Sequence, residues 1–235
     1  MSLTKKSVEQ LVGFENEEPA EKEVVLRRYT RFCNIREILE NRQIELRNTD
    51  SWDDKNDKYL LDLYRRHRAW KSIFAICGTR TKKEHYHHWK TYAEDGACIV
   101  FDRKKLIQGA KEANFKYGTV RYKMLKDLNN DPLPGIKLLP FFKRAAFSDE
   151  REFRIVTGLT DESGGTAILP IKLSWIRKIR LNPWLDMDES KCRIRDLKQI
   201  SGCQKIDMKR STLLQSRRWE QFGDSIYQAH SDHTL

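Results

Sequence analysis

The densest chemistry in the chain is Glu150-Arg151-Glu152-Phe153-Arg154, which follows Phe147-Ser148-Asp149 and runs into Ile155-Val156. Read as an extended segment, side chains alternate between faces, so Glu150, Glu152 and Arg154 share one face while Arg151, Phe153 and Ile155 take the other. Two carboxylates about 7 Å apart along one strand, with an arginine following, are costly to aim at a protein interior and so would mark a site if they faced inward. Aimed at solvent, the same set is an edge-strand surface with internal ion pairs that contribute little. The facing of this strand decides between the two.

Other candidates lie upstream. Asp50-Ser51-Trp52-Asp53-Asp54-Lys55-Asn56-Asp57 is a carboxylate-rich loop around one Trp. It could hold Mg²⁺ through Asp53, Asp54 and Asp57, or simply cap the next helix. His85, His87 and His88 have no carboxylate or cysteine at a metal-binding spacing and read as exposed helix residues. Trp89 and Tyr92, at i and i+3 of the same helix, suit a core as readily as a ligand stack. The cysteines at 33, 77, 98, 192 and 203 are scattered, odd in number and without a Cys-x-x-Cys pair, which fits reduced cytosolic thiols used for packing.

The elements that must position these groups follow from periodicity. Val24–Thr30 reads as a first strand, carrying Arg27, Arg28 and Tyr29, and Asn34 caps a helix to Asn41. Gln43–Arg47 alternates strictly, as a half-buried strand does. A helix over 57–70, a central strand at Ser72–Cys77 and a helix at Glu84–Glu94 come next. Asp95-Gly96 then turns the chain into the strand Ala97–Asp102. Beyond it lie a helix at Arg103–Glu112, a strand at Lys116–Tyr122 and a break at Asp131-Pro132-Leu133-Pro134-Gly135. Leu138–Phe147 is apolar with Lys143 and Arg144 set in it. Strands at Ala167–Leu173 and Ile176–Leu181, a helix at Asp186–Ile200 and a short strand at Ile206–Met208 complete the body. No repeat or composition change divides residues 24–209, so one α+β domain is expected. Residues 1–23 form an acidic leader read as mobile, and 210–235 a basic and polar tail anchored by Trp219, Phe222 and Tyr227.

Composition narrows the class. The 235 residues are 34% charged and 39% hydrophobic, with six Trp, eight Tyr and ten Phe, which indicates a folded chain. No apolar run approaches a membrane span and no signal-peptide core opens the sequence, so the expected location is cytoplasmic, with no membrane partner. The net charge is +11, and residues 1–24 hold three Lys against six Glu, which leaves +14 on the remainder. A body this basic attracts polyanions, nucleic acid above all, although a merely solvated basic surface would read the same way.

Three segments in order carry a resemblance: Trp52-Asp53-Asp54 with Asp57, then Cys77 and His88–Asp102, then Glu150–Ile155. Together they resemble a large uncharacterised bacterial domain family over residues 25–205. Its members show an aromatic-Asp-Asp-Pro loop, a Trp-x-x-Tyr-Ala helix entering a Gly-x-Cys-Ile-x-Phe-Asp strand, and a Glu-x-Glu-aromatic-Arg strand. This chain departs from that pattern at Lys55, where Pro is usual, and at Phe147, where Trp is frequent. More distantly, the layout is similar to that of ADP-ribosyltransferases. That resemblance implies an α+β fold with a mainly antiparallel central sheet flanked by helices, and NAD as a substrate. It implies Arg28 (or Arg27) as the strand-one arginine on the pyrophosphate, Glu152 as the catalytic glutamate and Glu150 as its partner toward the acceptor. Tyr29, Trp89 and Tyr92 would be the aromatic walls, and Thr49 or Ser51 the middle-motif hydroxyl. The expected function is ADP-ribosylation of RNA or DNA by a toxin or phage-defence effector, with a neutralising protein partner, no resident metal, and Arg28 and Glu152 facing one cleft. A metal-dependent nuclease holding Mg²⁺ through Asp53, Asp54, Asp57 and the Glu150/Glu152 pair, and a non-enzymatic nucleic-acid-binding module, are the alternatives.

Overall fold

The computed structural model describes residues 25–129, 132–160 and 165–231; the acidic leader lies outside them. Eleven strands and six helices follow one another among these residues. β1 (Val25–Arg31), α1 (Phe32–Asn41), β2 (Gln43–Asn48), α2 (Lys55–His67) and β3 (Ser72–Thr79) form the first half of the sheet. Next come α3 (Tyr86–Tyr92), β4 (Gly96–Asp102), α4 (Arg103–Glu112), β5 (Lys116–Thr119), β6 (Arg121–Lys123) and β7 (Phe142–Arg144). β8 (Glu152–Leu159), β9 (Ala167–Pro170), β10 (Ile176–Leu181), α5 (Met187–Gln199), β11 (Asp207–Arg210) and α6 (Arg217–Ser231) complete the chain. The fold is thus mixed α+β, as the element pattern predicts, around the mainly antiparallel sheet that the resemblance implies. In the main sheet only β10 and β11 pair in parallel, and β6 and β7 form a separate parallel pair.

β3 is the hub. β8 pairs with it along its whole length, from Ser72 opposite Leu159 to Thr79 opposite Glu152. The other edge of β3 is shared. β1 meets it only at Arg27 opposite Thr79, and β2 only at Ala75 and Phe74. The sheet therefore forks, with β1-β4-β10-β11 on one branch and β2-β9 on the other. In the crotch of the fork the Cys77 carbonyl accepts a hydrogen bond from the Arg28 guanidinium (3.3 Å) in place of a strand neighbour.

Alternation along the strands assigns one large core to one face of the sheet and two smaller ones to the other. Phe74, Ile76, Ile99, Phe101, Phe153, Ile155 and Ile179 point into the larger one. α1, through Ile35, Ile38 and Leu39, and α4, through Leu106, Ile107 and Ala110, close it. On the opposite face α2 packs Leu61 and Tyr64 over Ile73, Ala75 and Val156, and α3 packs Trp89 over Tyr29, Cys98 and Val100. Asp54 starts α2 by accepting from the amides of Asn56 and Asp57, while Arg65, Arg66 and His67 complement its C-terminal end. β4 is buried on both faces because each core claims alternate residues. At its first position a Cβ on Gly96 would stand 1.9 Å from the Thr30 carbonyl oxygen, so only glycine fits beside β1. Over β3 and β8, beside α2, is where Asp57, Lys143, Glu150, Glu152 and Arg154 gather.

Candidate functional site

The opening pentad does not form one strand. Residues 145–150 make a 3₁₀ turn, Arg151 adopts a left-handed backbone (φ 44°), and β8 begins only at Glu152. Glu150 therefore leaves the alternation that would place it beside Glu152 and Arg154. The turn still carries it back to the same group of charges.

Arg154 is the centre of that group and is wholly inaccessible to solvent. Its guanidinium holds Asp57 of α2 through two bonds of 2.6 and 2.5 Å and Glu152 through two of 2.5 and 3.0 Å. It also donates to the Pro140 carbonyl (3.0 Å), and Trp52 lies against its face with 5.1 Å between guanidinium and ring. Lys143 of β7 covers the carboxylates from above: its ammonium is 2.6 Å from Glu150, 3.4 Å from Glu152 and 3.8 Å from Asp57. Glu152 receives a further contact from the Cys77 thiol, and its amide donates to the Tyr122 hydroxyl (2.8 Å). The rim is aromatic. Tyr92 of α3 donates to Glu150 at 3.0 Å, and His88 places Nε2 3.4 Å from the Glu150 carbonyl and stacks on Tyr29. Phe147 lies 4.7 Å from the Lys143 ammonium.

The electrostatics divide the carboxyls. Burial alone would raise Glu152, but the Arg154 charge and hydrogen bonds, with Lys143 beside them, override it and hold its pKa at about 2. Burial pushes Glu150 up, since Lys143 offsets desolvation only in part and Glu152 adds repulsion. Asp57 is raised by the same desolvation despite its Arg154 partner. Burial also lowers His88, which keeps its ring neutral, and raises Tyr92. Two carboxyls two residues apart, one shifted down and the other up, are the arrangement from which acid–base chemistry is built. Only Glu150 is placed to meet a ligand: its side chain is 17% exposed, against 5% for Glu152 and 1% for Asp57.

The remaining sequence candidates fare differently. Arg27, and not Arg28, shares the sheet face of Glu152, because the register sets Arg27 opposite Thr79 and Thr79 opposite Glu152. Arg27 spends its guanidinium on the Thr81 and Lys82 carbonyls. Arg28 fills the fork, its pKa lowered to about 10 by burial, and the β3 backbone at Cys77 lies between it and Glu152. The expected shared cleft is not formed by that pair, which counts against the ADP-ribosyltransferase layout as the resemblance implied it. Tyr29 and Trp89 are core residues; Trp89 is fully buried, with its indole N–H on Glu84. Tyr92, 44% exposed, is the one aromatic wall of the three that reaches the surface. Ser51 is exposed and returns its hydroxyl to the Asn48 carbonyl, while Thr49 is buried against the Ile73 carbonyl. His88 is buried, contrary to the exposed-helix reading, because the helix turns it toward Tyr29. Asp54 caps α2 and Asp57 clamps Arg154, so the acidic loop does not converge. Among the described residues no three His, Cys, Asp or Glu side chains group as metal ligands.

Lys143, Tyr122 and His88 are the participants that sequence reading did not assign to this site; Asp57 was joined to Glu150 and Glu152 there only as a metal ligand. A lysine inside the apolar run 138–147 is the signal that could have found Lys143, since a buried ammonium requires carboxylates.

Residues 88–155 match the model of a family described as Protein of unknown function (DUF2971). That segment, which runs from His88 through Tyr92 and Lys143 to Arg154, is similar to an uncharacterised domain family. Asp57 and Cys77 lie before it. No curated protein and no solved structure matches the chain.

Proposed function

We propose that this protein is an enzyme that transfers ADP-ribose from NAD to nucleic acid, with Glu150 as the carboxylate at the reacting ribose and Glu152 as its buried support. The observation that carries this reading is the division of the Glu-x-Glu pair. Glu152 is 4% exposed and committed to Arg154, whereas Glu150 reaches the rim between Tyr92, Lys143 and Phe147. The resemblance gave the ribose to Glu152 and the acceptor to Glu150; the burial of Glu152 passes both duties to Glu150.

In the reaction the bond from ribose C1 to the nicotinamide nitrogen breaks, and its electron pair neutralises the nicotinamide ring. The oxocarbenium-like centre left at C1 is stabilised by the Glu150 carboxylate. An acceptor hydroxyl or ring nitrogen forms the new bond to C1 and gives its proton to Glu150, which returns it to solvent. The exposed ring of Tyr92 offers the nicotinamide a face. With Arg28 in the fork, the pyrophosphate falls to Arg144 and Arg151, exposed at either end of the 145–150 turn. The net charge of +14 from residue 25 onward favours a polyanionic acceptor. Such chemistry on cellular nucleic acid suits a toxin or antiviral effector restrained by a neutralising partner.

The test is incubation with adenylate-labelled NAD and RNA, DNA or cell extract. Label on nucleic acid with release of nicotinamide is expected, and Glu150→Gln should lower it by at least about 100-fold while melting as wild type does. Wild-type protein that transfers no label and releases no nicotinamide overturns the reading. Chelator-sensitive cleavage would instead indicate a nuclease. Salt-sensitive binding without turnover, unchanged in Glu150→Gln, would indicate a binding module.

A further inference from the structure

Tyr86, which opens α3, and Trp184, in the turn after β10, stand side by side in solvent, 47% and 37% exposed, with ring centroids 5.5 Å apart. We propose that this pair is a stacking platform for unpaired bases, so that the nucleic acid the protein takes is single-stranded. Tyr92, which holds Glu150, closes the same helix, about 9 Å further along its axis, a span that a few nucleotides of one strand can cover. The route from platform to Glu150 rests on the transferase reading. The platform itself binds without NAD, so each can fail alone.

The turn that carries Trp184 is fixed from three sides. Buried Asn182 accepts from the Trp184 amide (2.6 Å) and donates to the Ala93 carbonyl just past α3 (3.3 Å). Arg210 of β11 donates to the Pro183 and Leu185 carbonyls (2.8 and 3.1 Å). Leu185 packs against the larger core, whereas Trp184 joins none of the three cores. Lys90, paired with Glu94, rests its ammonium 4.4 Å from the indole centroid and steadies the ring. A tryptophan held outside the core on a braced backbone has little freedom left to lose when a planar ligand settles on it.

Shape and charge select the ligand. The two rings meet at 71°, so they form no parallel-walled slot for one ring and instead offer inclined faces to successive bases. Bases in a duplex cover one another's faces, while those of a single strand are free to stack on protein rings. Exposed Lys82 and Lys83 stand on the segment leading into α3. Arg27 ties that segment over the α3 side of the sheet by donating to the Thr81 and Lys82 carbonyls. Glu84, next in the chain, commits its carboxylate to the Trp89 indole and the Ser211 hydroxyl. Cations for the phosphates beside rings for the bases are the two parts of a single-strand site.

The test is fluorescence anisotropy of the full chain, without NAD, against labelled RNA and DNA strands of about 12 nucleotides and the duplex of the same sequence. Saturable binding of a single strand with a Kd of about 10 µM or tighter is expected at low salt. Trp184→Ala and Tyr86→Ala should each weaken it by about 5-fold or more. Neither removes a charge, so the slope of log K against log salt should match wild type. Duplex binding should be unchanged in both variants, and both should melt as wild type does because the residues are exposed. The proposal is overturned if no single strand saturates, if either folded variant binds single strands as wild type does, or if the duplex loses as much as the single strand. A chain that binds single strands through Trp184 and Tyr86 but transfers no label from NAD upholds the platform and overturns the transferase reading alone.

Discussion

Three carboxylates meet two cations around Arg154, so full ionisation would leave one negative charge in excess in a largely desolvated space. The raised carboxyls of Glu150 and Asp57 and the depressed one of Glu152 are how the group accommodates that excess. Arg154→Met would leave Asp57 and Glu152 buried without their counter-charge and should cost roughly 3–5 kcal/mol, measured by urea unfolding. Acid titration isolates Glu152. Its folded pKa of about 2 lies below the ordinary 4.5, so its contribution is complete above about pH 4.5 and is lost as pH falls toward 2. The shift corresponds to about 3 kcal/mol. Asp57 and Glu150, shifted upward, act in the opposite direction and gain stability as they protonate. Unfolding free energies measured between pH 6 and about 2.5 should therefore fall more steeply for wild type than for Glu152→Gln. Equal slopes would mean that Arg154 does not hold Glu152 ionised. At this scale the sequence showed the types of residue and not their partners. Glu152 and Arg154 are neighbours on one strand face and could be paired by inspection. Asp57 lies 97 positions from Arg154, and no local pattern announces that contact.

Elements were more legible than contacts. α4 occupies Arg103–Glu112, as its period predicts, and β4 runs from Gly96 to Asp102, beginning one residue before the expected start. Both succeed because alternation and helical period are properties of the segment itself. The stretch 147–156 misled for a physical reason: the left-handed turn at Arg151 sits on a residue type that seldom adopts it, so composition gives no sign of the break. Lys116–Tyr122 likewise splits at Val120, whose amide bonds the Glu152 carbonyl while Arg121–Lys123 leaves to pair with β7. The tightest element-level constraint is Gly96. Gly96→Ala drives a methyl group into the Thr30 carbonyl and must part β1 from β4, at a cost of about 3 kcal/mol or more, visible as a lower urea midpoint or loss of soluble protein.

For the whole molecule, the basic excess and the exposed C-terminal helix remain outside the core. Residues 217–230 of α6 are all exposed, and Trp219 and Phe222, read in sequence as anchors, stand in solvent instead. Removing residues 217–235 should leave the melting temperature within about 2 °C of wild type, by calorimetry; a larger fall would show that the helix supports the body. No helix among the described residues is long and apolar enough to cross a membrane.

The forked sheet has a mechanical consequence. Because β1 and β2 hold β3 at different points of one edge, neither arm's strand pairing passes through the other, and what ties the arms together is the shared larger core. A pull or a fluctuation that peels β2 and β9 away leaves the β1-β4-β10 arm clamped at Thr79, and the reverse holds at Ala75. The protein should therefore open as two hinged leaves on a common spine. Amide hydrogen exchange would resolve them as separate protection classes, with the β3–β8 seam the last to yield.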